Sequence, residues 1–366
     1  MGIQVRQLRK SFGGTVAVNG IDLDINDGEM LVLLGPSGCG KTTSMRCIAG
    51  LEAPDAGHIT INGRTVFDGQ SGTNVPVNKR HVGMVFQSYA IWPHLTVFEN
   101  VSFPLDMEGV APAEITRRVG EVLELVGLAG MDHRGASYLS GGQMQRVALA
   151  RSLVMRPDVL LFDEPLSNLD ARLRDHLRVQ LRELQTQLKI TSVYVTHDQR
   201  EALALADQIV VMQAGRVLQK GDPIELYNHP ATNTVAEFLG YTNVFEVDVV
   251  SGDAAGSEVS FKANGRRLQA GPAPGGNANS LCVCVRPDHV SLRALAAGDD
   301  APVGNAIAGE VILASFLGSH MQYRVRTGER EIWEVLSADV AAGTRLGSRV
   351  ALSIEPRHLQ VLAKDA

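Results

Sequence analysis

The segment GPSGCGKT (35–42) follows the apolar run Met30–Leu34 directly and precedes a helical stretch starting at Thr42. It fits the pattern G-x-x-x-x-G-K-[ST], and it restricts the chain more than any other feature. Glycines let such a loop turn tightly and aim successive amide groups at phosphate oxygens. The helix that follows adds the positive end of its dipole. Lys41 is then suited to the β- and γ-phosphates of a nucleotide, and the Thr42 hydroxyl to a Mg²⁺ ion. Residue frequencies put a chance occurrence of this pattern in a chain this long at roughly 1%. A strand, a phosphate loop and a helix in that order belong to an α/β fold with a buried parallel sheet.

Two further segments fit a nucleotide site. VLLFDE (159–164) is an apolar strand ending in two carboxylates. Asp163, at the strand tip, suits the water shell of Mg²⁺, and Glu164 suits the activation of a water attacking the γ-phosphate. Adjacent acids at a strand end are common, so this pair takes its meaning from Lys41. In YLSGGQMQRVALARSL (138–153), Ser140 precedes two glycines and then a helix-favouring run. That is either a second anion-binding helix start or an ordinary capped one.

The remaining organisation is that of two domains, as expected for 366 residues. Apolar runs at 192–196 and 208–212 add buried strands, and leucines at 173, 177, 181, 184 and 188 make a core-facing helical stripe over 172–189. Beyond Asn243 the texture changes to short β-rich segments at 245–250, 281–285, 311–314, 321–325 and 349–354. Turn-forming clusters such as AGPAPGGNANS (270–280) separate them, so a small all-β barrel or sandwich is expected past a boundary near 240. A net charge of −6 argues against a general grip on nucleic acid. No apolar stretch approaches the length of a membrane span, and MGIQVRQLRK lacks the apolar core of an export signal, so a cytosolic location is expected. Four cysteines are too few for a disulfide framework; Cys282 and Cys284 lie on one face of a strand, a weak zinc signal.

Taken in order, these segments resemble the ATPase subunit of an ATP-binding-cassette (ABC) transporter. LSGGQ (139–143) matches the cassette signature, and Gln87 follows the strand VGMVF (82–86) as the Q-loop glutamine. SNLD (167–170) matches the D-loop, and His197 after SVYVT (192–196) matches the switch histidine. Phe12 stands at the adenine-stacking position, where the family more often has tyrosine; either ring stacks on a base. The resemblance implies a P-loop NTPase cassette over 1–240, with a RecA-like core, an N-terminal antiparallel β part and a helical subdomain at about 88–155. It implies that ATP is held by Phe12, Val18, Ser37, Gly38, Cys39, Gly40, Lys41, Thr42 and Thr43, with Mg²⁺ on Thr42, Gln87 and Asp163. Glu164, His197 and Gln87 would be catalytic. In the family's head-to-tail homodimer, Ser140, Gly141, Gly142, Gln143 and Asp170 would face the ATP of the opposite subunit.

GYTNVFEV (240–247), VRPDHVSL (285–292) and FLGSHMQYRV (316–325) resemble the OB-like (TOBE) barrel extension of importer ATPases, here spanning 241–366. That resemblance implies two integral-membrane permease subunits, a substrate-binding protein, no nucleic acid and a peripheral place on the cytoplasmic face of the inner membrane. SYAIWPHLTVFENV (88–101) would dock the permease, although core packing explains most of its apolar residues equally well. Arg286, Asp288 and His289 read either as a ligand cluster or as a polar turn after a buried strand, with the turn preferred. IWPH (91–94) and GYTN (240–243) look more like the polyamine and ferric-iron branch than the sugar branch. The competing reading is a soluble cassette ATPase of DNA repair or translation; it expects two cassettes, a coiled-coil insertion or a basic surface, none of which is visible. A module that only senses nucleotide conflicts with the complete set of Lys41, Asp163, Glu164 and His197.

Overall fold

The computed structural model describes residues 2–274, 280–296, 304–329, 331–339 and 344–365. They form two compact units, Met1–Leu226 and Tyr227–Ala366. The first unit opens with β1 (Ile3–Phe12), β2 (Thr15–Ile25), β3 (Met30–Leu34), α1 (Lys41–Ala49), β4 (Ala56–Ile61), β5 (Arg64–Asp68), β6 (Thr73–Asn74) and β7 (Val82–Val85). Three helices follow: α2 (Val97–Met107), α3 (Pro112–Leu125) and α4 (Gly141–Leu153). The unit then runs through β8 (Val159–Asp163), α5 (Ala171–Leu188), β9 (Thr191–Thr196), α6 (Gln199–Leu205), β10 (Gln208–Gln213) and β11 (Arg216–Gly221).

The larger sheet has the order β11-β10-β3-β9-β8-β7. All its pairings are parallel except the edge hairpin of β10 with β11. Every residue of β3, β8 and β9 is buried, which is why none of them alternates apolar with polar positions; their polar residues, Asp163, Thr191, Ser192 and Thr196, stand at the strand ends. The smaller antiparallel sheet has the order β2-β1-β4-β5-β6. Both sheets contribute to one core, in which Ile3, Val5 and Leu23 join Leu31, Leu33, Met45 and Leu161. The leucine stripe of α5 is only partly a core stripe. Leu177 and Leu181 are buried, Leu173 lies against Gly142 of α4, and Leu188 in the last turn is exposed.

The helical segment is punctuated by local chemistry. Thr96 and Glu99 form a reciprocal capping box at the start of α2, and α3 begins on Pro112, whose missing amide costs nothing at a first helical position. The phosphate-loop helix α1 is closed by a residue from outside it. Arg80, 2% exposed, donates to the carbonyls of Cys47 (2.8 Å) and Ile48 (2.9 Å), to Val75 O (2.7 Å) and to Asn74 Oδ1 (2.9 Å). A Cβ at Gly50, the αL cap of α1, would lie 2.5 Å from Arg80 Nε, so the cap and the buried guanidinium require each other.

In the second unit, α8 (Asn233–Phe238) leads into β12 (Asn243–Gly252), β13 (Ser257–Phe261), β14 (Arg267–Ala270), β15 (Leu281–Val285) and β16 (Val290–Ala294). β17 (Ala306–Phe316), β18 (Met321–Arg326), β19 (Ile332–Ser337), β20 (Arg349–Ile354) and β21 (Gln360–Ala363) complete it. (α7, Pro223–Asn228, spans the division.) Two antiparallel sheets, β14-β13-β12-β15-β21 and β16-β20-β17-β18-β19, share a core around Trp333. The indole centroid lies 4.5 Å from that of Phe245 and 6.2 Å from that of Phe261. The division falls before 227 and not near 240, because Val235, Ala236 and Leu239 are buried and Thr232 bridges to Ala363 of β21. The expected connection at 270–280 is described only in part; 275–279 lie outside the described residues.

Replacing Arg80 with alanine removes the side-chain donor to Ile48 O and leaves Cys47 O with only the Gly50 amide at 3.3 Å. Arg80→Ala is expected to cost about 3 kcal/mol of stability, read from the urea midpoint of the full chain, and Arg80→Lys is expected to restore less than half of it.

Candidate functional site

The phosphate loop leaves the carboxyl end of β3, and the acidic pair ends β8, two strands away across β9. His197 follows β9 itself, and Gln87 follows β7. Four loops therefore meet at one edge of the parallel sheet, where ligands of open α/β sheets bind.

Close packing fixes the loop. Gly35 (φ +156°) and Gly40 (φ +102°) approach backbone so tightly that a Cβ would lie 2.2 Å from Met212 O and 2.3 Å from Ala17 O. Gly38 (φ +79°) has open space and needs glycine only for its conformation. Lys41 is 5% exposed and donates to the carbonyls of Gly35 (2.7 Å) and Pro36 (2.9 Å), with Cys39 Sγ at 3.8 Å. Thr42 is the second residue of α1, and its hydroxyl donates to Asp163 Oδ1 at 3.0 Å. Asp163 is buried, and burial pushes its pKa up, against the Thr42 hydrogen bond and the charges of Arg46 (3.8 Å) and Lys41. An acid held this way favours an arriving cation.

Glu164 has a left-handed backbone (φ +45°) and donates its amide to Val195 O of β9 at 3.1 Å. Its carboxylate lies 3.2 Å from His197 Nδ1. The strand end before His197 is fastened in turn: Tyr194 Oη and Thr196 Oγ1 donate to the buried Glu201 at 2.9 and 2.8 Å. Gln87 is exposed, and its carbonyl accepts from Asn168 Nδ2 at 2.9 Å, so the segments after β7 and β8 are tied together. Phe12 stands 46% exposed at the β1–β2 turn with Lys10 Nζ 5.0 Å from its ring centroid, and Val18 is fully buried beneath the loop's close-packed side.

Ser140 and Gln143 form a capping box at the start of α4, Ser140 N donating to Gln143 Oε1 at 3.0 Å and Gln143 N to Ser140 Oγ at 3.4 Å. A Cβ at Gly141 would sit 3.1 Å from Leu169, and one at Gly142 3.1 Å from Leu173, so both glycines admit the neighbouring leucines. Asp170 caps α5 through Leu173 N at 3.0 Å. These residues share no hydrogen bond or ion pair with 35–43 among the described residues. Within one chain, the structure gathers Lys41, Thr42, Asp163, Glu164 and His197 and leaves Ser140–Gln143 apart.

The comparisons with known proteins agree with this geometry. The family model "ABC transporter" matches residues 18–167, and the TOBE domain model matches 283–362. A Fe(3+) ions import ATP-binding protein, FbpC, of Agrobacterium fabrum is 46% identical over 356 residues, covering 97% of this chain and 96% of that protein. A spermidine/putrescine import ATP-binding protein, PotA, of Rubrobacter xylanophilus is 45% identical over 370 residues, 99% and 94% respectively. This chain belongs to the ABC transporter family. It is an ABC-type ATPase with a TOBE extension. Among solved structures, cbiO1 of Clostridium perfringens, part of the ABC transporter complex cbiONQ, aligns with TM-score 0.56 at 31% identity, over 62% of this chain and 90% of its own. The ADP form of another ABC-transporter cassette, at 23% identity and TM-score 0.56, shares the fold.

Three contributors escaped sequence reasoning. Arg46 stands four residues after Thr42, a helical spacing that points it at Asp163. Asn168, inside the SNLD match, gave no sign of its bond to Gln87 O 81 residues away, and Glu201, five and seven residues after Thr196 and Tyr194, was not singled out. In the second unit, Arg286 is 6% exposed and lies 3.9 Å over the Tyr227 ring, donating to His289 Nε2 at 2.9 Å. Asp288 is 3.6 Å away, and the whole is a polar 3₁₀ turn after β15. The thiols of Cys282 and Cys284 lie 3.8 Å apart, both buried.

Gly40→Ala places a methyl against Ala17 O in a conformation that alanine resists. ATP affinity is expected to fall at least about tenfold, measured by isothermal titration on the folded variant.

Proposed function

We propose that this chain is the ATP-hydrolysing subunit of a solute importer, and that ferric iron or a polyamine is the solute class. The observation that carries the reading is the convergence of Lys41, Thr42, Asp163, Glu164 and His197 at one edge of the parallel sheet. Support for the solute comes from the Fe(3+) and spermidine/putrescine import functions of the relatives. No helix among the described residues is long and apolar enough to cross a membrane, and in this reading a membrane partner supplies the path.

ATP enters with its phosphates on the amides of 37–43 and its base against Phe12. Lys41 exchanges its two loop carbonyls for β- and γ-phosphate oxygens. The Thr42 hydroxyl and the Asp163 carboxylate are hard oxygen donors 3.0 Å apart, a set that fits Mg²⁺ and would hold it with Gln87 nearby. The ion supplies charge neutralisation at the β- and γ-oxygens. Glu164 takes the proton of the attacking water, and His197, from 3.2 Å, holds that carboxylate in place while facing the γ-phosphate.

The serine-glycine start of α4 supports a homodimer. Its exposed capping serine and free helix end suit an anion, and the anion within reach is the γ-phosphate of a second copy. Asp170 lies beside that approach. ATP would close the pair, and hydrolysis would release it. Two integral-membrane permease subunits and a substrate-binding protein would complete the assembly, with this chain peripheral on the cytoplasmic face of the inner membrane. A groove of about 300 Å³ lined by Val82, Phe86, Trp92, Phe103, Arg151 and Met155 suits a permease segment.

Glu164→Gln should retain ATP binding and run as a dimer on size exclusion with ATP, while turnover falls by about 10²-fold or more; residual hydrolysis at the wild-type rate would remove Glu164 from the role of base. Ser140→Arg should leave ATP affinity of the monomer within about threefold and abolish the ATP-dependent dimer. Normal hydrolysis by that variant would refute the head-to-tail site.

A further inference from the structure

The loop after β7 is held in a conformation that its own residues disfavour. Tyr89 and Ala90 both have left-handed backbones, with φ of +60° and +49°. Neither is glycine, and both resist this region. The Tyr89 ring is buried, and its hydroxyl has no hydrogen-bond partner. A local backbone bond, Tyr89 N to Phe86 O at 2.9 Å, closes the turn but does not relieve the two left-handed residues, so contacts from elsewhere must help to hold them.

One side chain supplies most of that hold. Arg151, near the end of α4, donates from Nη2 to Tyr89 O at 2.8 Å and from Nη1 to Ala90 O at 2.7 Å. The two accepting carbonyls belong to the two strained residues. The same guanidinium lies over Trp92, 4.8 Å from the ring centroid. Asn100 of α2 fixes the far side, accepting from Trp92 N at 2.9 Å and donating to Trp92 O at 3.1 Å. On the near side, Asn168 holds Gln87 O at 2.9 Å. Between these two anchors, Arg151 alone bonds the left-handed pair through side-chain donors. It also lines the groove that holds Trp92 and Phe103, so the groove wall and the Gln87 loop share one residue.

We infer that Arg151 is a positioning residue, keeping the Tyr89–Ala90 pair left-handed and thereby placing Gln87 at the nucleotide site. A planar fork that satisfies two consecutive carbonyls while stacking on an indole is a task for arginine and not for lysine. The inference rests on the ATP-hydrolysing role proposed above, since turnover is its readout.

The test is steady-state hydrolysis by the full chain. Wild-type turnover comes first; its absence would refute the proposed function and not this inference. Arg151→Ala is expected to lower kcat about tenfold with the KM for ATP within about threefold. Arg151→Lys, which keeps the charge, is expected to recover less than half of the loss. The deciding variant is Ala90→Gly in the Arg151→Ala background. Glycine takes the left-handed conformation freely, so it is expected to restore kcat at least about threefold, which lost packing alone would not allow. If Arg151→Ala does not fold, the same pair is read in the Arg151→Lys background. A kcat within twofold of wild type, a loss carried by KM, or no gain from Ala90→Gly would overturn the assignment.

Discussion

The hydrogen bond from Thr42 to Asp163 spans the end of β9, joining the helix after β3 to the tip of β8. Everything chemical in the first unit is arranged around it. It exists only because α1 starts directly at the loop, and α1 starts there because Gly40 lets the backbone pass under Ala17 O. At its far end α1 is closed by Arg80, which takes the last-turn carbonyls that no residue of the helix can reach. A loop, a helix and a buried arginine from 30 residues downstream therefore act as one rigid piece.

Against that rigidity, the site keeps two strained stretches. Glu164 and the Tyr89–Ala90 pair are left-handed without glycine, and both lie at strand ends beside the nucleotide edge. Each is held by an outside partner: Val195 O for Glu164, and Arg151 for the pair. Strain of this kind persists only where surrounding contacts outweigh it. At the acid and at the Gln87 loop, the geometry of the site therefore depends on partners outside the strained residues.

Much of this was legible in the sequence because the parallel strands advertise themselves. β3 and β15 fall on the expected residues, and β8, β9 and β10 within one residue at either end, since strands buried on both faces carry a mostly apolar centre. The phosphate loop was equally plain, its glycines being dictated by backbone clearance. Strands β13, β14, β16, β19 and β21 were not legible. They are short and half-exposed, and each shows too few inward apolar residues to stand out, as Val259 and Phe261 alternate with the outward Glu258 and Ser260 in β13. Arg80 and Arg151 were invisible for a deeper reason. An arginine reads as surface, and nothing local to either announces that carbonyls 33 or 61 residues away will enclose it. The leucine stripe of α5 misled in the opposite sense, because periodicity tells which face of a helix is apolar but not how far its neighbours extend along it.

Lys41 donates to Gly35 O and Pro36 O, sheltered from water. Its ammonium group thus ties the end of the loop to its beginning. A ligand must outbid two carbonyls for the same three protons. Orthophosphate or a lone carboxylate, meeting the loop at one point, gains little by the exchange, whereas a chain of phosphates that occupies the amides at the same time gains much. Discrimination between a nucleotide and the sea of small anions around it is in this way built into the hydrogen bonds of a single lysine.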